Sequence, residues 1–107
     1  MTSKGGFWQP RMEIAGMQAR VHLMISGRVQ GVGFRHYCVQ AARQYGLRGW
    51  VRNCDDGSVE VIAEGEQASL EPFVRRCRRG PPAASVLACR ESYAQPTGAF
   101  EAFEAAF

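Results

Sequence analysis

The apolar residues change period along the chain, and each change predicts an element. Val21, Leu23 and Ile25 alternate with His22, Met24 and Ser26, the two-residue period of a half-buried strand ending at Gly27. Beyond it Phe34, Tyr37 or Cys38, Ala41 and Tyr45 recur at helical spacing, with Gly46 suited to a left-handed stop. Leu47 to Asn53 and Ser58 to Glu64 read as two short strands around Cys54-Asp55-Asp56-Gly57, whose Asp-Gly pair is a strong hairpin signal. In the second of these, Val59, Val61 and Ala63 share one face while Glu60, Ile62 and Glu64 take the other, so one face is expected to be mostly wet. Gly65 is expected to break the chain. Leu70, Phe73, Val74 and Cys77 then form a second helical stripe, in which Pro72 fits only in the first turn, where its missing N–H has no partner to lose. Val86 to Tyr93 and Ala99 to Phe103 are expected to close as strands around a Gln95-Pro96-Thr97-Gly98 turn.

This order, β-α-β-β-α-β plus a C-terminal strand, predicts an α+β fold. The ferredoxin-like sandwich, an antiparallel sheet with two helices on one face, fits it. Residues 1–19 show no period and are expected to form a flexible extension, leaving 20–107 as one domain. A fold of this kind specifies no chemistry, so function has to come from a site.

Composition narrows the classes. The chain has 107 residues with 46% hydrophobic content and no apolar run of bilayer length. Met1 to Ala19 lacks the continuous apolar core of a secretory signal, so a soluble cytoplasmic protein with no membrane partner is expected. Cys38, Cys54, Cys77 and Cys89 form no Cys-x-x-Cys pair, which favours free thiols over structural zinc. The net charge is +3, and Arg75, Arg76, Arg78 and Arg79 are clustered before Gly80-Pro81-Pro82. Cations at a helix C-terminus favour the dipole, and the cluster lacks the interleaved aromatics of single-strand binders, so no nucleic-acid partner is expected.

Candidate chemistry concentrates in Gly27-Arg28-Val29-Gln30-Gly31-Val32-Gly33-Phe34-Arg35, which joins the first strand to the first helix. An arginine in the first turn opposes the helix dipole, whereas glycines before it leave backbone N–H groups free to face an anion. A bound anion would resolve that conflict. The loop lacks the Lys-Ser/Thr of a nucleotide P-loop and the spacing of a dinucleotide fold, so a small phosphate fits better. An arginine fork can grip two of its oxygens while loop amides take the rest. Asn53 is a second candidate, although Asn before Asp-Asp-Gly is also ordinary turn chemistry. His36 is expected to face solvent, His22 lies on the alternate face of the first strand, and Asp55 and Asp56 read as solvated turn residues rather than a metal site.

Together with Gly49-Trp50-Val51-Arg52-Asn53-Cys54-Asp55-Asp56-Gly57-Ser58-Val59, Gly65 and Gly80-Pro81-Pro82-Ala83, the loop resembles the signature segments of the acylphosphatase family over roughly residues 20–103. The resemblance implies a small hydrolase that cleaves small acyl phosphates to carboxylate and inorganic phosphate, without metal or organic cofactor; a monomer is the default expectation. It implies phosphate binding by Arg35 and placement of the attacking water by Asn53. It also implies a cradle of backbone N–H groups from Val29, Gln30, Gly31, Val32, Gly33 and Phe34, with phosphate or sulfate as a site ligand. The tail Glu104-Ala105-Ala106-Phe107 departs from the ending the resemblance leads one to expect.

The implied reaction is compatible with so sparse a site. A carboxylate leaving group has a conjugate acid of pKa about 4 and needs no general acid at neutral pH. The rival is a non-catalytic ferredoxin-like domain that holds phosphate groups of a nucleic acid or protein through the loop and the Arg75 to Arg79 cluster. Such a module has no use for a water-positioning amide at Asn53.

Overall fold

The structure is a computed structural model and describes residues 16–107. Its elements are β1 (Gln18–Arg28), α1 (Phe34–Gln44), β2 (Arg48–Asn53), β3 (Val59–Glu66), α2 (Gln67–Arg79), β4 (Ser85–Ala94) and β5 (Phe103–Ala105). The strands form one sheet in the order β4-β1-β3-β2-β5. The expected α+β sandwich with two helices against the sheet is therefore the fold. Pairings β1–β3, β1–β4 and β2–β3 are antiparallel as expected, whereas β5 runs parallel to β2, so the sheet is mixed.

Periodicity explains which faces meet. Val21, Leu23 and Ile25 of β1, Val51 of β2 and Val59, Val61 and Ala63 of β3 are fully buried on the helix side of the sheet. Phe34, Cys38, Ala41 and Ala42 of α1 and Leu70, Phe73, Val74 and Cys77 of α2 close over them in a single core. Phe73 and Phe103 meet edge-to-face with centroids 5.9 Å apart, which ties β5 to α2. Helix α1 ends as expected near Gly46: the Gly46 N–H donates to the Arg43 carbonyl and the Leu47 N–H to the Ala42 carbonyl, the paired closure of a Schellman cap.

Several local expectations are corrected. Gly65 does not break the chain; β3 runs through it, paired with Ala19, because a hydrogen there leaves room for the Leu47 side chain. Pro72 is the sixth residue of α2 rather than a first-turn residue, so the Ala68 carbonyl loses its intrahelical donor. The final strand is Phe103–Ala105, not 99–103. The second face of β3 is not mostly wet: Ile62 and Glu64 are buried there. Both differences share a cause. The 95–102 segment folds back instead of pairing, and Glu64 accepts hydrogen bonds from the Thr97 N–H (2.8 Å), the Thr97 hydroxyl (2.8 Å) and the Gly98 N–H (3.0 Å).

At the N-terminus, most of the extension expected over 1–19 lies outside the described residues. Gln18 and Ala19, assigned to it above, are the first residues of β1. The arginine cluster sits at the end of α2, where Arg76 donates to Gln44 (3.0 Å) and Arg78 pairs with Glu91. Cys38 and Cys77 are buried side by side with sulfurs 3.9 Å apart, and all four cysteines are free thiols. Burial pushes the Cys77 thiol well up, and its hydrogen bond with Cys38 adds to that. No helix among the described residues is long and apolar enough to cross a membrane.

Candidate active site

The β1–α1 loop and the end of β2 converge on one cleft of about 610 Å³. Val29, Gly31, Gly33, Phe34 and Arg35 line it from the loop side, and Asn53 from the strand side. The fold brings these two together because β1 and β2 both pair antiparallel with β3, which places the C-terminal ends of β1 and β2 at the same end of the sheet. Alternation along β2 also puts Asn53 on the same side as buried Val51, toward the helices.

The start of α1 is built without an acceptor of its own. Gly33 is the N-cap in a left-handed conformation (φ 79°, ψ 20°), which has no side-chain cap, and the first turn holds no acidic residue. Gly31 is likewise at positive φ (73°). Among the described residues, the N–H groups of Gln30, Gly31, Val32, Gly33 and Phe34 donate to no backbone carbonyl. Five successive donors without a backbone acceptor beside a helix N-terminus favour negative charge there.

Arg35 is half-buried at the inner edge of this loop. Its guanidinium donates from Nη1 to the Ala106 carbonyl (3.4 Å) and lies 4.6 Å from the centre of the Phe107 ring. The tail reaches this position because β5 pairs with β2 and the Ala106 N–H continues the ladder to the Val51 carbonyl (2.8 Å). Glu104, Ala105 and Phe107 therefore line the cleft, a role sequence reasoning did not assign to them. The only available signal was the apolar residue at the chain's end, which carries no address. His36 is exposed as expected, yet it also lines the outer cleft with Val39 and Arg43 of the same helix face.

Not every loop side chain faces the cleft. Val32 packs toward the core, and the Gln30 side chain crosses to the β2–β3 turn, where it donates to the Cys54 (2.8 Å) and Ser58 (2.9 Å) carbonyls. Asp56 serves the turn itself: its Oδ1 accepts from the Ser58 N–H (3.0 Å) and hydroxyl (2.6 Å), and these bonds hold its carboxyl below the ordinary carboxylate range. His22 points away from the site and meets Glu60 (2.7 Å), which also binds Arg52 (2.7 Å). Burial alone would raise the Glu60 carboxyl, but those two partners outweigh it and lower it.

The same loop, helix and strand recur in known proteins. The acylphosphatase family model matches residues 21–105. This chain belongs to the acylphosphatase family. An acylphosphatase of Anaeromyxobacter sp. (strain Fw109-5) is 56% identical over 75 residues, 70% of this chain and 81% of the relative. That of Anaeromyxobacter dehalogenans (strain 2CP-C) is 44% identical over 90 residues, 84% of this chain and 97% of the relative. The crystal structure of acylphosphatase from Bacillus subtilis superposes with a TM-score of 0.81 at 34% identity, covering 83% of this chain and 99% of that one. The protein is accordingly an enzyme, an acylphosphate phosphohydrolase, and the cleft is where its loop, helix and strand converge.

Proposed function

We propose that the enzyme hydrolyses small acyl phosphates with Arg35 and the N–H groups of Val29 to Phe34 holding the phosphoryl group and Asn53 aiming the attacking water. The observation that carries this reading is the single cleft lined by Arg35, the donor loop and Asn53 together. Phosphoryl transfer asks a protein mainly for positioning and for donors aimed at the equatorial oxygens, and a loop of amides with one guanidinium supplies both. Water oxygen attacks phosphorus in line, the bond from phosphorus to the acyl oxygen breaks, and the acyl group departs as a carboxylate. Asn53 is a neutral amide that orients water but takes no proton, so the proton passes to a phosphate oxygen of the substrate. Because the leaving carboxylate is already stable at neutral pH, no general acid is required. The outer cleft, along His36, Val39 and Arg43, takes the acyl group.

On this reading the reaction requires neither metal nor organic cofactor, phosphate or sulfate occupies the cradle as a ligand, and the domain that opens with β1 at Gln18 works as the catalytic domain of a cytoplasmic monomer. The test is hydrolysis of benzoyl phosphate in the presence of EDTA, with two variants. Arg35→Ala is expected to lose both inorganic-phosphate affinity and turnover; Asn53→Ala loses turnover and keeps the affinity. Absence of hydrolysis combined with RNA binding of steep salt dependence would establish the non-catalytic rival instead.

A further inference from the structure

The loop and the turn are joined by one side chain. Gln30 lies in the middle of the donor loop, and its Nε2 donates to two carbonyls, Cys54 at 2.8 Å and Ser58 at 2.9 Å. These two residues are the ends of the turn, themselves joined by the Cys54 N–H to the Ser58 carbonyl (2.9 Å). Both protons of the Gln30 amide are therefore spent on the turn that begins immediately after Asn53. No other side chain among the described residues hydrogen-bonds the loop to that turn.

The consequence concerns registration. The phosphoryl group is held by backbone groups of residues 29–34, whereas the water is held by a side chain on another strand. In-line attack requires the two to be spaced to within a fraction of an ångström, and a misplacement of about 1 Å can cost about a hundredfold in rate. The sheet fixes Asn53 relative to β3, since Asn53 pairs with Val59, but β1 and β2 are not neighbours and no ladder runs directly between loop and strand end.

We infer that Gln30 is a positioning residue for the reaction: its side-chain amide sets the distance between the phosphoryl cradle and Asn53. This rests on the water-positioning reading of Asn53. A glutamine suits the task because only a primary amide offers two N–H donors on one neutral atom for two convergent carbonyls. A glutamate at the same site would present oxygen to oxygen at neutral pH and recover one donor on protonation.

The test uses benzoyl phosphate hydrolysis, inhibition by inorganic phosphate, and the variants Gln30→Ala, Gln30→Glu, Asn53→Ala and Gln30→Ala/Asn53→Ala. Gln30→Ala is expected to lower kcat by about ten- to a hundredfold while changing the phosphate inhibition constant less than about threefold. In the Asn53→Ala background the same change is expected to alter kcat by less than about twofold, since there is no longer an oriented amide to misplace. Gln30→Glu is expected to gain activity relative to the parent as pH falls from 7 to about 5, and this readout stands even if the alanine variant folds poorly. The proposal is overturned if Gln30→Ala keeps kcat, if its loss adds in full to that of Asn53→Ala, if phosphate affinity falls in step with kcat, or if the Gln30→Glu ratio is flat with pH. An Asn53→Ala enzyme with unchanged kcat refutes the underlying reading; a crippled Asn53→Ala beside an unaffected Gln30→Ala refutes this inference alone.

Discussion

Replacing Glu64 by glutamine tests how the back of the sheet is held. The carboxylate is fully buried and accepts three hydrogen bonds, two from Thr97 on Oε2 and one from the Gly98 N–H on Oε1. Burial by itself would raise its pKa, but the three donors outweigh it, with Arg20 at 3.9 Å adding a little, and the carboxyl is held below its ordinary value. Glutamine keeps one oxygen. If that oxygen stays on Thr97, the new NH2 faces the Gly98 N–H, so one charge-assisted bond is lost and two become neutral. A bond to a charged group contributes about 1.5–3 kcal/mol and a neutral one about 0.5–1.5, so with partial relaxation of the exposed loop the expected cost is about 2–4 kcal/mol. For a domain of this size that lowers Tm by roughly 10–25 °C. Because the folded-state pKa is depressed, the stabilisation is present above the ordinary carboxylate pKa of about 4.3 and disappears as pH falls through the folded value. Urea denaturation of parent and Glu64→Gln at pH 7 and pH 3 should therefore show a gap that narrows in acid. A difference below about 0.5 kcal/mol at pH 7, or a gap that does not narrow, would refute the reasoning.

Three further outcomes are expected. Inorganic phosphate at about a hundred times its Kd should stabilise the parent by about 2.7 kcal/mol in thermal melts and leave Arg35→Ala nearly unmoved. Phe103→Ala removes a fully buried ring packed on Phe73, and denaturant titration should record a loss of about 3–5 kcal/mol. Gly49→Ala would bring a methyl carbon to 1.9 Å from the Ile62 carbonyl oxygen at a φ of 143°, so β2 must shift; a cost on the order of 3 kcal/mol and a drop in kcat through displaced Asn53 are expected in parallel stability and activity assays.

Much of this was written in the chain. Alternation at Val21, Leu23 and Ile25 and the stripe Leu70, Phe73, Val74 and Cys77 locate a strand and a helix whose buried faces are those residues, because burial of one face is what the period encodes. The loop before Arg35 was equally legible as a helix start with no acidic residue of its own, since an arginine after glycines conflicts with the dipole whatever the rest of the fold does. What failed was at positions whose state depends on distant partners. Glu64 looks wet by alternation and is buried because Thr97 and Gly98, far along the chain, return to cover it. The last strand was displaced for the same reason, as the residues expected to pair were used in that cover.

The amino-acid sequence by itself thus determined the order of elements, the helix-side core, the family signature and the two residues, Arg35 and Asn53, to which the proposed reaction gives phosphate and water. Tertiary structure alone decided that β5 pairs parallel with β2 and so brings Ala106 and Phe107 onto Arg35. It alone turned Gln30 from one more loop residue into the bridge between the β1–α1 loop and the β2–β3 turn. The division has a physical reason. Local conformation and face preference are set by near neighbours and leave a period in the sequence, whereas the partner of a polar group across the sheet is set by chain return and leaves none.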